Sequence, residues 1–295
     1  MGQYSIKDLE SLSGIKAHTI RIWEKRYNII TPDRTDTNIR TYCDEDLKKL
    51  LNIALLNNHG LKISKISKLK YEDLCQEVEK IAITDTSFDT YIDRLIVSMV
   101  DLDRGKFEAL LKEATTNMGF ESTCINVLYP LLQKIGIMWM ANSINPAQEH
   151  FISSLIIQKM YVATDNLYSP DKKEKKAIFF LREGEMHEMG LLFYRYLMKK
   201  RGVDPIYLGQ SIPFVDLVQV VKAHKPDYLV TAFVATLDEE ALSNYLNKLG
   251  ETFPEQIIIT SGYQISQFTG KLPKNVVKTD NVQEFIEYID TQLEN

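Results

Sequence analysis

The segment from Glu185 to Gly190 has the residue types of a metal-ligating loop. It reads Glu-Met-His-Glu-Met-Gly and follows a short apolar run at 177–181. A histidine in such a loop can present one ring nitrogen to a metal while a carboxylate holds the other nitrogen and fixes the ring orientation. Glu185, two residues before His187, can be that carboxylate, and Gly190 lets a following helix pack close to a ligand. The loop is therefore a candidate metal site.

Short apolar runs place this loop at the edge of a parallel sheet. Helical stretches of about ten residues separate the runs, which lie at 177–181, 206–208, 228–233, 257–259 and 276–277. This alternation is typical of a doubly wound, Rossmann-like α/β domain, expected here over residues 171–295. Because such sheets bind ligands at the carboxyl ends of their strands, His187 is in a suitable place.

Residues 76–170 are expected to form a four-helix bundle. Apolar residues recur there at intervals of three and four, the spacing of helices with one buried face. The helices are marked by Tyr91 to Met99, Phe107 to Leu111, Val127 to Met140 with Pro130 near its start, and Gln148 to Leu167. Helices of this length joined by short polar loops are typical of a bundle.

Charge is divided unevenly along the chain. Over 295 residues the net charge is −5, which by itself argues against a nucleic-acid binder because phosphate affinity needs clustered Lys and Arg. Residues 1–70, however, hold 13 Lys+Arg and 8 Asp+Glu, a net charge of +5, whereas residues 71–295 hold 22 and 32, a net charge of −10. Only the basic head, residues 1–75, is therefore a candidate for DNA binding.

The head is mainly α-helical, with tight turns. Ser5 can cap a first helix, and Gly14 supplies the turn before a second helix over 15–27. The polar stretch 33–40 lacks apolar periodicity, which favours a loop or small wing. Helical spacing returns over 47–55. This order of elements predicts a winged helix-turn-helix.

The stretches Tyr4–Ile15, Thr19–Tyr27 and Pro32–Tyr42 resemble the MerR winged-helix family, over nearly all of residues 3–70. The resemblance implies that the second helix contacts a groove of double-stranded DNA while the wing touches its backbone. The expected DNA contacts are His18, Thr19, Arg21, Lys25, Arg26, Arg34, Asn38, Arg40 and Tyr42. The alternative is that the charged run 21–26 is only a solvated helix face.

The Glu-x-His-x-x-Gly pattern resembles the signature of cobalamin-binding domains. That resemblance implies that His187 is the lower axial ligand of cobalt, replacing the nucleotide base, and that the displaced nucleotide tail threads into the domain. It also places Thr231 against the tail, where the family has Ser-x-Leu, and Ser261-Gly262 where the family has Gly-Gly. Ser261 departs from that pattern by adding a side chain where the tail needs room.

The bundle adds a second motif. Trp139 is followed after nine residues by Glu149 and His150, which resembles the cap over the upper corrin face in cobalamin-dependent MerR-type photoreceptors, the light-responsive repressors of carotenoid genes. The resemblance implies that these three residues contact the upper ligand of adenosylcobalamin or methylcobalamin. In those photoreceptors a histidine after the tryptophan takes the upper axial position, and here that position is Met140.

These patterns predict a cytoplasmic transcription regulator, a repressor, that senses cobalamin as a homo-oligomer, dimer or tetramer, and that is neither an enzyme nor a membrane protein. Two alternatives stay open. The corrinoid site can be degenerate, with a protein partner in control, or the chain can be the corrinoid carrier of a methyltransferase, against which the head argues. Singly, His187 reads as a loop histidine, Trp139 as a core residue and His150 as a bundle histidine.

Overall fold

The structure, a computed structural model, describes residues 4–35, 38–84, 87–140, 144–167 and 175–294. It divides into two compact units, Met1–Leu155 and Ile156–Asn295. The domain boundaries expected near residues 75 and 170 remain predictions. Among the described residues, no helix is both long and apolar enough to cross a membrane.

The first unit begins with the winged helix-turn-helix elements. They are α1 (Ile6–Ser13), α2 (Ala17–Tyr27), β1 (Asp33–Arg34), β2 (Arg40–Thr41), α3 (Asp44–Asn58) and α4 (Ile63–Ile66). Ser5 caps α1 in a reciprocal capping box with Asp8, as its position predicts. Gly14 ends the helix at φ 71°, a left-handed conformation that glycine adopts at little cost. The short antiparallel pair of β1 and β2 is the wing.

The rest of the first unit is helical. Its elements are α5 (Tyr71–Thr84), α6 (Phe88–Val100), α7 (Arg104–Met118), α8 (Phe120–Thr123), a π-helical turn (Cys124–Leu128), α9 (Tyr129–Met140) and the start of α10 (Pro146–Asp165). The third bundle helix was expected from Val127, but helical structure already begins at Phe120. The π-helical turn ends at Leu128, two residues before Pro130, and such a turn accommodates the missing proline N–H and its ring.

The second unit is a doubly wound α/β domain, as predicted. After the end of α10 its elements are β3 (Lys176–Arg182), α11 (Met189–Lys200), β4 (Asp204–Ile212), α12 (Phe214–His224), β5 (Tyr228–Ala232), α13 (Glu239–Thr252), β6 (Ile257–Ser261), α14 (Tyr263–Gln267), β7 (Val276–Lys278) and α15 (Val282–Glu294). The strands are parallel, in the order β4-β3-β5-β6-β7. The strand order reverses between β3 and β5, so the crevice where such sheets bind ligands lies at the end of β3.

The two faces of this sheet are covered by different helices. One face packs Leu229 and Phe233 against residues of α12 and α13, in a fully apolar core. On the other face, α11 lies against the sheet beside α15, and Tyr194 of α11 stacks on Phe285 of α15. Because side chains alternate along a strand, each residue of β5 and β6 belongs to one face only.

The turn after β6 depends on Gly262. Its φ is +99°, and a Cβ built there would lie 2.5 Å from the carbonyl oxygen of Phe233 and 2.9 Å from its nitrogen. Both atoms are backbone atoms fixed by hydrogen bonds, from Phe233 N–H to the Ser261 carbonyl and from Gln264 N–H to the Phe233 carbonyl. The chain has no freedom to make room for a side chain here.

We therefore expect Gly262→Ala to lower the free energy of unfolding by about 2 kcal/mol or more, from backbone strain and the clash together. Gly202→Ala is the matched control, because Gly202 also has a positive φ, +83°, but no heavy atom lies within 4 Å of its added Cβ. Urea denaturation of both variants measures the difference. Equal losses of unfolding free energy in the two variants would contradict this expectation, because they would show that the Phe233 backbone moves to make room for the added methyl group.

Candidate functional site

A single buried carboxylate organises the loop after β3. The side chain of Glu185 has no solvent exposure. Its Oε1 accepts hydrogen bonds from the backbone N–H groups of Met186 and His187, each at 3.1 Å, and lies 2.6 Å from His187 Nδ1. Its Oε2 accepts from the N–H groups of Val234 and Ala235, at 2.9 and 2.8 Å. Glu185 therefore ties the loop after β3 to the loop after β5.

This environment favours the ionised form of Glu185. Burial alone raises the pKa of a carboxyl group, but the hydrogen bonds from His187 and from the N–H groups of Val234 and Ala235 outweigh it. The net effect holds the pKa of Glu185 below its ordinary value. The buried carboxylate is thus a charged acceptor that fixes His187 through Nδ1.

His187 itself points its ring toward solvent, with 60% of the side chain exposed. With Nδ1 held by Glu185, Nε2 is left available to a ligand, which is the arrangement of a metal-binding histidine with its supporting carboxylate. Within the described ranges no three His, Cys, Asp or Glu side chains group as a metal site. A metal held here would therefore take one protein ligand, His187, and need its other ligands from a cofactor.

Exposed apolar side chains follow four of the five parallel strands. Met186 comes after β3, Val215 after β4, Val234 after β5 and Tyr263 after β6. They lie at the carboxyl ends of the strands, the same edge at which His187 emerges. Exposed apolar residues at one edge make that edge a candidate binding surface, and a broad apolar ligand would suit it.

The expected neighbours of a nucleotide tail are not all on one face. Thr231 pairs with Thr260, whereas Ser261 pairs with Ala232. Side chains of adjacent residues point to opposite faces, so Thr231 and Ser261 face opposite sides of the sheet. Ala232, not Thr231, is therefore the residue beside Ser261, and contact of Thr231 with a nucleotide tail remains a prediction. Thr231 is fully buried and its hydroxyl has no hydrogen-bond partner.

The other predicted ligand-loop residues lie as follows. Gly190 is in the first turn of α11, directly after the His187 loop. Ser261 ends β6, and its Oγ lies 2.5 Å from the hydroxyl of Tyr194. Gly262 packs against the backbone of Phe233. The structure thus gives Gly262 a role in close chain packing that needs no ligand.

The predicted upper-face residues are only partly described. Trp139 lies in α9, but its side chain and that of Met140 are outside the described part of the structure. Glu149 and His150 are neighbours near the start of α10, with His150 Nδ1 3.1 Å from Glu149 Oε2. His150 is mostly exposed, and Glu149 also accepts a hydrogen bond from Ser153. Contact of these residues with a ligand remains a prediction.

The head presents a polar helix face. Ile20 and Trp23 of α2 are buried, which leaves His18, Arg21, Lys25 and Arg26 exposed and Thr19 half-buried. This is the orientation that the apolar spacing predicts. Cations on one exposed face of a second helix suit the groove and phosphates of duplex DNA.

The wing is attached to this helix through Glu24. Glu24 accepts hydrogen bonds from Arg40 Nε at 3.0 Å and from the Tyr42 hydroxyl at 3.2 Å. Tyr42 was expected to touch DNA, but its side chain is only 1% exposed, so it positions the wing instead. Burial and the neighbouring Glu24 raise the pKa of Tyr42 to about 12, so the phenol stays neutral.

The tip of the wing keeps its predicted exposure. Arg34 donates from Nη1 to the Asn38 side-chain oxygen at 2.6 Å, and both residues are exposed. Asn38 has φ +63°, a conformation that asparagine tolerates in tight turns. Arg34 and Asn38 therefore remain available to a partner, whereas Arg40 is half-buried against Glu24.

Four residues at the candidate site were not predicted from the sequence. The Val234 and Ala235 N–H groups bind through the backbone and leave no residue-type signal. Tyr194, which contacts Ser261, is one of several aromatic residues in a helix, and nothing in its spacing distinguishes it. The position of Ala232 beside Ser261 could have been predicted, because side chains alternate between the two faces along β5 and β6.

Two family models match parts of the chain, one in the head and one in the helices that precede the α/β unit with Glu185 and His187. Residues 4–72 match the MerR HTH family of regulatory proteins, and residues 91–164 match the B12 binding domain. The chain is 27% identical over 266 residues to the HTH-type transcriptional repressor CarH of Myxococcus xanthus, covering 88% of each protein. It is 28% identical over 244 residues to the HTH-type transcriptional repressor CarA of the same organism, covering 82% of this chain and 80% of CarA.

A solved structure shares the fold. The monomethylamine corrinoid protein of Methanosarcina barkeri matches with a TM-score of 0.55 at 20% identity, over 74% of this chain and 98% of that one. Fold, site and family matches together define a protein that joins a MerR-type helix-turn-helix to a B12-binding domain. Within that class, the chain is homologous to CarH and CarA.

The lowered pKa of Glu185 gives a pH-dependent prediction. Its ionised form stabilises the fold fully above the ordinary glutamate pKa of about 4.3, and that stabilisation is lost as the pH falls through the lower folded-state pKa. We expect Glu185→Gln to lower the free energy of unfolding by about 1–3 kcal/mol at pH 7, and the difference from wild type to shrink at acidic pH.

Glu183→Gln, in the same loop but exposed, is the matched control and should leave stability unchanged. Urea denaturation of the three proteins at pH 7 and at pH values below 4 measures both effects. A stability difference for Glu185→Gln that stays constant across this range would contradict the charged-acceptor account.

Proposed function

We propose that the protein is a DNA-binding transcriptional regulator, a repressor, that senses cobalamin. The observation that carries the proposal is the pair of Glu185 and His187, which presents a free ring nitrogen at the switch point of the sheet. The same chain holds a basic helix-turn-helix, so ligand binding and DNA binding reside in one polypeptide. A one-component sensor needs both.

The residues at the edge of the sheet fit a corrinoid. His187 would supply a nitrogen ligand to the cobalt, and the exposed side chains of Met186, Val215, Val234 and Tyr263 would offer apolar contact for a flat macrocycle. When bound, cobalamin supplies a cobalt ion whose upper axial ligand can be exchanged or lost. Glu185 holds the tautomer and direction of His187, so the protein's own contribution is a preorganised lower ligand.

The form of the cofactor and the response to light belong to this proposal. Adenosylcobalamin or methylcobalamin would bring an upper ligand, for which Trp139, Glu149 and His150 are the candidate contacts on the strength of their spacing. Met140 offers a thioether where the related photoreceptors have a histidine, so a product with two histidine ligands does not form from this residue. If the protein responds to light, Met140 would not supply the nitrogen ligand that a histidine at this position would give.

Regulation requires that ligand distinguish two states of the protein. A ligand shifts an equilibrium only by the difference in its affinity for the two states. We propose that cobalamin changes how many heads are held together in a homo-oligomer, a dimer or tetramer, and so changes affinity for an operator. The acidic remainder of the chain is unsuited to phosphate contact, which leaves DNA binding to the head.

One observation favours a second candidate. Ser261 and Tyr194 fill the position that the resemblance gives to the nucleotide tail. A regulator with a degenerate corrinoid site, controlled by a protein partner, would show this feature. A corrinoid carrier of a methyltransferase is disfavoured because such a carrier needs no DNA-binding head.

The corrinoid proposal predicts that His187→Ala weakens retention of methylcobalamin by about tenfold or more, because the lower ligand is removed. His224→Ala, an exposed histidine at the end of α12, is the control and should retain the corrin as wild type does. The measurement is the corrin absorbance of protein gel-filtered in the dark, repeated with adenosylcobalamin. No retained corrin spectrum in wild type would contradict the sensor proposal.

The DNA proposal predicts that Arg21→Ala weakens binding to duplexes of any sequence. It should also reduce the slope of log affinity against log salt by about 1, because one phosphate contact is lost. Lys222→Ala, an exposed cation of α12, should leave the slope unchanged. Fluorescence anisotropy over a salt series measures both. An unchanged slope for Arg21→Ala would show that Arg21 does not contact a DNA phosphate.

A further inference from the structure

The hydroxyl groups of Tyr194 and Ser261 close the space between α11 and the end of β6. Their oxygen atoms lie 2.5 Å apart, and Tyr194 is only 4% exposed. The Tyr194 ring stacks on Phe285 of α15, with centroids 4.1 Å apart and planes at 25°. Two helices and a strand thus meet at one aromatic side chain, which we name, together with Ser261, the Tyr194–Ser261 plug.

This plug lies on one defined face of the sheet. Ala232 and Ser261 are paired in register, so they share the face covered by α11 and α15. The resemblance to cobalamin-binding domains, through Ser261 and Gly262, assigns to this face the tail of a cobalamin whose base has been displaced by His187. In the structure the side chains of Tyr194 and Ser261 are buried there and in contact with each other.

Little room is available on either side of the plug. Gly262 already packs against the Phe233 backbone, and a single added carbon there would lie 2.5 Å from an oxygen. Ala232, beside Ser261, has no hydroxyl to offer a nucleotide. The Ser261 hydroxyl is bonded to Tyr194. A nucleotide tail entering here would have to displace a buried aromatic ring and break this hydrogen bond.

We propose that the Tyr194–Ser261 plug excludes the nucleotide tail, so that the site prefers corrinoids that lack one. This inference rests on the proposed function, since it presumes that His187 holds a corrinoid. A corrinoid without a tail needs only the His187 nitrogen and the apolar edge, and neither involves the plug. Tyr194 is thus a specificity-determining residue, because it selects corrinoids by the presence or absence of the nucleotide tail below the ring.

The test compares two probes on the full chain in the dark: methylcobalamin, and methylcobinamide, which has the same ring and upper ligand but no nucleotide tail. Absorbance titration and retention on gel filtration give the affinities. We expect wild type to bind methylcobinamide about tenfold more tightly or better, a difference of about 1.4 kcal/mol. Equal affinities, or tighter binding of methylcobalamin, would overturn the proposal.

The double variant Tyr194→Ala/Ser261→Gly opens the plug. It should bind methylcobalamin about tenfold more tightly than wild type while its affinity for methylcobinamide stays the same. Tyr194→Phe keeps the ring and should keep the wild-type preference. An opened variant that folds, by circular dichroism, without gaining affinity for methylcobalamin would contradict the plug. If the double variant does not fold, the wild-type comparison decides the question.

Failure of the plug is distinguishable from failure of the proposed function. If wild type binds methylcobalamin and methylcobinamide equally, the plug is contradicted and the sensor proposal stands. If neither wild type nor the opened variant retains either corrinoid, both the plug and the proposed function are wrong. Retention of methylcobinamide alone by wild type supports the plug and corrinoid binding through His187, and it contradicts cobalamin as the ligand that is sensed.

Discussion

The arrangement of the α/β unit depends on the ionised carboxylate of Glu185. It is fully buried, yet four backbone N–H groups and one histidine ring surround it, so the cost of removing the charge from water is offset by charge-assisted hydrogen bonds. Those donors come from the loops after β3 and β5, the two strands that flank the switch point. One side chain therefore fixes the position of both loops and the direction of His187.

The head uses a carboxylate in a similar way. Glu24 on α2 accepts hydrogen bonds from Arg40 and Tyr42 and so attaches the wing to the second helix. The cations Arg21, Lys25 and Arg26 remain exposed on the outer face of α2. In each unit, some residues of a sequence motif are buried and support the site from within the fold. Other residues of the same motif are exposed and can contact a ligand or DNA.

The sequence was sufficient to predict most secondary-structure elements and the local motifs. Apolar runs predicted five strands, and Glu185 with His187 could be identified because their interaction spans two residues along the chain. The pairing of distant segments was harder to predict. Thr231 was assigned to the nucleotide tail because it stands where the resemblance gives Ser-x-Leu, but a shift of one residue along β5 reverses the face of the sheet.

Other features could not be read from the sequence because they depend on packing. Tyr42 is polar and lies in a basic wing, which predicts DNA contact, yet its ring is buried and its hydroxyl is used by Glu24. The contact of Tyr194 with Ser261 joins residues 67 apart in sequence, and no local pattern announces it. Backbone donors such as Val234 N–H are visible only once strand ends are positioned in space.

The central claim is that corrinoid binding and DNA binding are coupled within one chain. Its most direct test is the affinity for a duplex, selected by the protein from a random-sequence pool, measured by anisotropy in the dark with and without saturating corrinoid. The account predicts a change of about fivefold or more in wild type, as for a typical coupling energy, and no change in His187→Ala. An identical affinity with and without bound corrinoid in wild type would contradict it.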